Sequence, residues 1–436
     1  MDEITHKKIK VLWFSNVEYS ENKPTSTGTW LHAMFIQLKL VPELVDICCC
    51  ITFGNVTTTE RKDYIDTHQY IIPKKYCKKN GLPTNNCVTE IVNIIKSENP
   101  DVIHVWGVEY YWGLICNIPD IISKYKVLLE IQGIKGVYAN KKYYYGGLNT
   151  IPLLKMFGLR ELLCPTRFVL FSRLLFKKWG HYEELIIKGI NNINTQSQWV
   201  RDIISKINHN ANVYKTGIIL RDEFYTPNKW HSVHKFSDHK IIFTTTSALQ
   251  YKGAHITIRA FRQIKDIYPD SKLRIAGISI KEGSSINKKN KYLNSGYTKY
   301  LLSLLKKLNL TGSVEFLGDL NSEQLVEEMY KADVFVMSSY VETYCLALAE
   351  AILVGLPCVS AYTTALSELI NDNETGLYYP QGDCDICADK INRLLSDIDF
   401  SKYISKNASD FMTNKSNISS IRDQQINIYR QIIGNN

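Results

Sequence analysis

The chain has 436 residues, 45% hydrophobic and 22% charged, with 12 prolines and 23 glycines, a globular composition that excludes the disordered and fibrous classes. At this length a single core has stopped growing, so two domains of about 200 residues are expected. A formal charge of +9 favours anionic partners without choosing among nucleic acid, lipid headgroups and phosphorylated small molecules. The 11 cysteines, odd in number and including the run Cys48-Cys49-Cys50, suit free thiols in a reducing compartment. MDEITHKKIK leads straight into a strand-like run, and no apolar stretch reaches the ~18 residues of a membrane span. A cytoplasmic protein is expected, with a peripheral place on the inner face of the cytoplasmic membrane left open.

In chain order, IKVLWFSNV (9–17) reads as a strand, TWLHAMFIQLKL (29–40) as a helix, and DVIHVWG (101–107) and KVLLEIQG (126–133) as further strands. Such alternation predicts βα units around a parallel sheet. TRFVLFSRLLFKKWGHYEELIIK (166–188) mixes aromatics and leucines with arginines and lysines. It is either a helix packed on its own domain or a basic amphipathic helix lying on an anionic bilayer. INNINTQSQWVRDIISKI (190–207) is a strand entering a helix with Ser197 as N-cap. The polar, aperiodic 216–238 is expected to connect the domains. From Lys240 the βα rhythm restarts, interrupted by the polar loop KEGSSINKKNKYLNSG (281–296), and DQQINIYRQIIG (423–434) forms a terminal packing helix. The expected architecture is α/β: a Rossmann-like domain 1–215, a linker 216–238 and a second such domain 239–415. Helix 416–436 returns to the first, and the doubly wound halves face each other across a cleft.

The informative stretch is SSYVETYCLALAEAILVGLPCVSA (338–361), which places Glu342 and Glu350 in an otherwise apolar strand–helix–strand. An unpaired buried charge costs several kcal/mol, so the carboxylates need another purpose. Glu342 is expected at the turn after a strand and Glu350 about two helical turns further on. In an open α/β sheet, ligands bind in the crevice at the carboxyl ends of the strands. The helix-initial amides of Thr343, Tyr344, Cys345 and Leu346 suit an anion, and the carboxylates suit sugar hydroxyls. The alternative is structural: Glu342 offsets a helix dipole and Glu350 makes a salt bridge.

E342-TYCLALA-E350-AILVGLP-C358-VSA followed by SELINDNETGLYYP (367–380) closely resembles the signature of the retaining, GT-B fold glycosyltransferases called family 4, or glycosyl transferases group 1. VEFLGDL, EEMYKADVFVMSSY and YKGAHITIRAF (251–261) extend the likeness upstream, and IKVLWFSNV, TSTGTWLH, DVIHVWG and EIQG carry it loosely into the first half. The resemblance implies that Glu342 contacts the donor sugar beside the anomeric centre and that Glu350 holds the ribose hydroxyls. It makes Lys252 the cation that neutralises the diphosphate, places Gly318 to Leu320 beside the base, and sets Gly28 near the phosphates. It has departures. Ser247 stands where relatives carry an arginine, so the second cation is either missing or supplied elsewhere, with Arg274 and Lys272 as candidates, and Thr343 and Cys345 replace glycines. His104 and Gln132, expected at strand ends, are candidates to orient acceptor or donor, with Trp106 and Glu109 as further acceptor-side candidates.

Cys384-x-x-Cys387 has no second cysteine or histidine pair at metal-ligand spacing, so no metal is expected. Asp383 in D-C-D is read as a helix N-cap. No P-loop and no G-x-G-x-x-G follows a strand, which argues against kinase and dehydrogenase readings. No basic stripe with interleaved aromatics points to nucleic acid. The expected activity is metal-free, cofactor-free transfer of a sugar from a UDP- or GDP-sugar to a hydroxyl acceptor, with retention. The acceptor is expected to be a glycan or lipid-linked glycan of surface polysaccharide synthesis. An epimerase-like enzyme of the same fold and a non-catalytic nucleotide-sugar binder stay open.

Overall fold

The computed structural model describes residues 8–21, 28–78, 80–227, 229–233, 236–280 and 294–434. Most of the polar loop expected at 281–296, and residues 25–27 of TSTGTWLH, lie outside them. The chain divides into two compact units. One comprises Met1–Lys135, Trp179–Ile219 and Ser416–Asn436, the other Gly136–Lys178 and Leu220–Lys415.

The first unit holds eight strands: β1 (Ile9–Phe14), β2 (Val45–Gly54), β3 (Glu60–Tyr64), β4 (Thr67–Pro73), β5 (Val102–Trp106), β6 (Lys126–Glu130), β7 (Asn192–Thr195) and β8 (Asn212–Lys215). Their order is β3-β4-β2-β1-β5-β6-β7-β8. All pair in parallel except the β3–β4 hairpin. The central strands are apolar on both faces because helices cover both. Trp13 of β1 packs with Phe35 and Leu38 of helix Thr29–Lys39 and with Tyr429 and Ile432 of helix Ile418–Gly434. Trp13 Nε1 donates to the Tyr429 hydroxyl at 3.3 Å. The C-terminal helix is therefore part of this core.

The second unit is built on a six-stranded parallel sheet of β9 (Ile241–Thr245), β10 (Lys272–Ala276), β11 (Val314–Gly318), β12 (Val334–Met337), β13 (Cys358–Tyr362) and β14 (Leu377–Pro380). Their order, β11-β10-β9-β12-β13-β14, reverses direction between β9 and β12. That reversal is the switch point at which doubly wound sheets open a crevice. Helix Leu346–Val354 is buried from Leu348 to Val354. It can be, since Ser405 and Ser409 donate to the carbonyls of Gly355 and Leu353 at its otherwise unsatisfied end.

Two stretches differ from the sequence expectation. Residues 216–238 contain more than a polar connection: Phe224 and Trp230 are fully buried and Trp230 Nε1 donates to the Ala332 carbonyl at 2.8 Å. Gly136–Lys178, expected within the first domain, belongs to the second unit. It is held there by Gln250 Nε2, which donates to the Tyr144 carbonyl at 2.6 Å, and by His255 Nε2, 2.9 Å from the Gly146 carbonyl.

Candidate functional site

β9 ends at Thr245, and the chain makes a helical turn at Gln250–Lys252 before Gly253 begins helix Ala254–Ile267. Gly253 has φ 73, and a Cβ there would lie 1.9 Å from the Ser338 carbonyl oxygen just beyond β12. Only glycine allows so close an approach in this backbone conformation. The Ser338 hydroxyl donates to the Gly253 carbonyl at 2.9 Å, and the Tyr340 amide to the Tyr251 carbonyl at 2.7 Å. The loops after the two central strands are thus tied to each other.

This lock sets Lys252 Nζ 2.6 Å from Glu342 Oε1 at the carboxyl ends of β9 and β12. The two side chains keep 25% and 11% exposure, enough for a ligand to reach both. Burial works against the Lys252 ammonium, but the Glu342 carboxylate and the Tyr138 and Tyr251 rings beside it hold its pKa above the ordinary value. Lys252 therefore stays cationic. Tyr138, from the Gly136–Lys178 excursion, has its phenol pKa pushed up by burial and next by Glu342, and is hydrogen-bonded to Thr343. The result is a fixed cation and a fixed anion side by side at the switch point, suited to a ligand with phosphate at one end and hydroxyls at the other.

The turn after Glu342 differs from expectation. The helix begins at Leu346, not Thr343, with Cys345 as N-cap at φ 98 and ψ 82. Thr343 and Tyr344 lie in the preceding bend, where each has partners. Of the four amides expected to open the helix, only that of Leu346 does so. Cys345 holds a left-handed conformation that favours glycine, which is the residue the resembled signature has there; such strain costs about 1–3 kcal/mol. Burial pushes its thiol pKa up, so it is not a reactive thiolate.

Glu350 is paired within the protein, through a partner the sequence did not indicate. Arg221 Nε and Nη2 donate to its two oxygens at 2.7 and 2.6 Å, and Nη1 donates to Ser322 at 3.2 Å. Glu350 is 2% exposed, and burial raises its carboxyl pKa against the pull of Arg221. A carboxylate has about four acceptor positions, so the fork leaves some of its capacity unused. Arg221 stacks on Phe224, 4.5 Å from the ring centroid. The only sequence signal for it was an arginine in an otherwise polar connection.

Ser247 lies two residues past β9, and its buried hydroxyl has no partner. Gly318 ends β11 and accepts from the Gly277 amide at 2.7 Å, so it too stands at the carboxyl edge of the sheet. Neither proposed substitute for the missing cation is available. Lys272 begins β10, at the opposite edge, and donates to the Gly312 carbonyl at 2.8 Å. Arg274 is mid-strand with Nε 2.8 Å from Glu328.

The remaining candidates belong to the first unit. Gly28 opens helix Thr29–Lys39 at φ 79, where a Cβ would fall 2.0 Å from Val17. His104 does not end its strand: it is the middle residue of β5, fully buried, with Nδ1 2.8 Å from the Tyr429 hydroxyl and Nε2 3.6 Å from Glu130. Burial depresses its pKa well below the usual value. No substrate can touch it there, and it belongs to the core. Trp106, 1% exposed and stacked 3.9 Å from His104, is likewise core. Gln132 and Glu109 do lie beyond the carboxyl ends of β6 and β5. Burial raises the Glu109 carboxyl to about 7, opposed by backbone hydrogen bonds and Lys135, and its Oε2 has no hydrogen-bond partner.

Asp383 caps helix Cys384–Ser396 as expected, accepting from the Asp385 and Ile386 amides. Cys384 and Cys387 are free thiols. Among the described residues no group of three or more His, Cys, Asp or Glu could hold a metal ion.

Residues 227–411 match the family described as glycosyl transferases group 1. A glycosyltransferase of Methanocaldococcus jannaschii is 28% identical over 193 residues, 44% of this chain and 45% of that protein. A D-inositol 3-phosphate glycosyltransferase of Corynebacterium urealyticum is 28% identical over 160 residues, 37% of this chain and 36% of that one. The chain thus spans less than half the length of these curated relatives. Among solved structures, sucrose-phosphate synthase from Thermosynechococcus elongatus aligns with TM-score 0.71 at 16% identity, covering 98% of this chain and all of the other. Anabaena HepE in complex with UDP-glucose aligns at 0.64 and 14% identity, covering 97% and 99%. At these identities the likeness establishes the fold.

Proposed function

We propose that this chain, which belongs to the group 1 glycosyltransferases through residues 227–411 and has the GT-B fold, transfers a sugar from a nucleoside diphosphate donor to a hydroxyl acceptor. The observation that carries this reading is the Lys252–Glu342 pair at the ends of β9 and β12. In the transfer the bond from the anomeric carbon to the diphosphate oxygen breaks and a bond from that carbon to the acceptor oxygen forms. The acceptor proton passes to the departing diphosphate oxygen, and a nucleoside diphosphate leaves. Lys252 neutralises the charge that grows on the departing diphosphate, a role in which a preplaced cation does most in the transition state. Glu342 accepts from hydroxyls of the transferred sugar, and Glu350, held by Arg221, offers its unused lone pairs to the ribose. Glu109, whose carboxyl burial raises to about 7 so that about half of it is protonated at pH 7, is the first unit's candidate for handling the acceptor.

Transfer is taken to proceed with retention and without a metal ion or cofactor, as the resemblance implies. UDP-sugars are the first donors to try, because HepE of the same fold holds UDP-glucose. The proposed acceptor is a lipid-linked glycan of surface polysaccharide synthesis, used by a cytoplasmic enzyme. The test is a thermal-shift series with UDP, GDP, ADP and their sugars, since a ligand at a hundred times its Kd stabilises by about 2.7 kcal/mol. One nucleotide class should raise the melting temperature in the native chain and not in Lys252→Ala. Failure of every nucleotide would sink the reading. Binding with no turnover towards any acceptor would instead favour a non-catalytic binder.

A further inference from the structure

We propose that the face formed by residues 151–175 docks on an anionic lipid bilayer. Nine of the twenty exposed large hydrophobic side chains among the described residues fall within this stretch. Leu163 is 75% exposed, Ile151 67% and Leu162 62%, with Leu154, Leu174 and Leu159 each more than half exposed. Isolated exposed apolar residues are ordinary, but such a concentration marks an interaction surface. The sequence pointed to residues 166–188; the exposed residues centre instead on the helical turns Thr150–Lys155 and Leu159–Leu163 and the start of helix Val169–Gly189.

These turns are anchored, so the outward side chains are held in place. Leu153, Met156 and Phe168 face inward and are buried. Glu161, 1% exposed, accepts from the Gly296 amide at 3.1 Å and lies 4.0 Å from Lys299. It is the sole carboxylate between residues 150 and 178, a span with six arginines and lysines. Lys155, Arg167, Lys177 and Lys178 are exposed beside the apolar side chains. The stretch is therefore apolar and cationic with no exposed acid of its own, which complements acyl chains below anionic headgroups. Beside it a cavity of about 690 Å³ is lined by Ile151, Leu154 and Leu170 together with Lys141.

Charge also decides against a second copy of this chain. A two-fold dimer through this face would bring the same cations against themselves, whereas anionic lipid neutralises them.

The experiment is flotation of the full chain with vesicles of phosphatidylcholine alone, or of equal parts phosphatidylcholine and phosphatidylglycerol. The native chain should float with the anionic vesicles and not with the neutral ones. Leu162→Glu with Leu163→Glu should cut recovery at least about tenfold, and Lys177→Gln with Lys178→Gln should reduce it and flatten its salt dependence. Both are surface changes, and circular dichroism verifies folding; the lysine pair carries the test if the leucine pair fails to fold. Absence of flotation with anionic vesicles, or recovery unchanged by either pair, overturns the proposal. So does a native dimer that the leucine pair converts to monomer. Donor binding is independent of these outcomes, so this inference and the proposed reaction fail separately.

Discussion

Arg221 meets Glu350 edge-on, its Nε and Nη2 each donating to one carboxylate oxygen at 2.7 and 2.6 Å, and the pair is almost removed from solvent, at 14% and 3% side-chain exposure. A buried carboxylate is tolerable in this apolar helix because a guanidinium from a distant stretch of chain satisfies both its oxygens.

Removing only the cation strands the anion. Arg221→Ala should lose about 3–5 kcal/mol in urea unfolding, and Arg221→Lys should recover only part, since an ammonium cannot make the fork. Arg221→Met with Glu350→Leu should restore most of the stability yet leave nucleotide affinity low. Restored affinity in that double variant would show that Glu350 does not touch the donor.

Lys252→Ala should lower kcat about 10²–10³-fold, the range for losing one preorganised electrostatic partner. Glu342→Gln keeps a hydrogen-bond acceptor and loses the charge, so its loss should be smaller. Steady-state kinetics with the donor found by thermal shift would measure both. An unchanged kcat in Lys252→Ala would remove the cation from the mechanism.

Cys345→Gly should stabilise the chain by about 0.5–1 kcal/mol, because relief of the strain at φ 98 outweighs the entropy glycine adds to the unfolded state. Gly253→Ala should do the reverse and disrupt the site, since its methyl group would strike the Ser338 carbonyl. Urea midpoints distinguish the two directions.

Stability should fall as pH rises from 6.5 to 8. Burial raises the Glu130 carboxyl to about 8, with Asn194 and Gln196 pulling it down, so the folded chain keeps a proton that the unfolded chain loses near the ordinary carboxyl value. The folded state is then progressively disfavoured up to the raised pKa. Buried His104 acts in the opposite sense, but only below its unfolded value of about 6.5. In the window above it Glu130 dominates, with Glu109 contributing up to about 7. The fall due to Glu130 should be about 2 kcal/mol, and Glu130→Gln should abolish it. A flat profile in the native chain would mean that Glu130 is ionised in the core.

Much of the fold was legible because doubly wound sheets have a local signature. Apolar runs such as VLWF in β1 and VFVM in β12 are hydrophobic at consecutive positions, since both faces of a parallel strand are covered. The candidate pair was legible for a different reason. Glu342 and Lys252 each sit in a motif that resembles a known family, so their chemistry could be guessed before their separation was known. The caps at Ser197 and Asp383 were legible because an N-cap needs only its own next few residues.

His104 and Cys345 mark the limit of local pattern. A strand's end cannot be located within a residue or two from its composition, and that small shift moved His104 from the ligand edge into the core. Which backbone region Cys345 occupies depends on the loop around it. Glu161 reads as an ordinary surface acid until its burial against Gly296 is seen.

Sequence alone determined the βα alternation, the cationic balance of the chain and the residue types at the second unit's site, because periodicity, charge and motif are properties of near neighbours. Tertiary structure decided which charges meet. Arg221 reaches Glu350 across 129 positions and Lys252 reaches Glu342 across 90, and only the order in which the sheet lays down its strands brings such distant groups within hydrogen-bonding range.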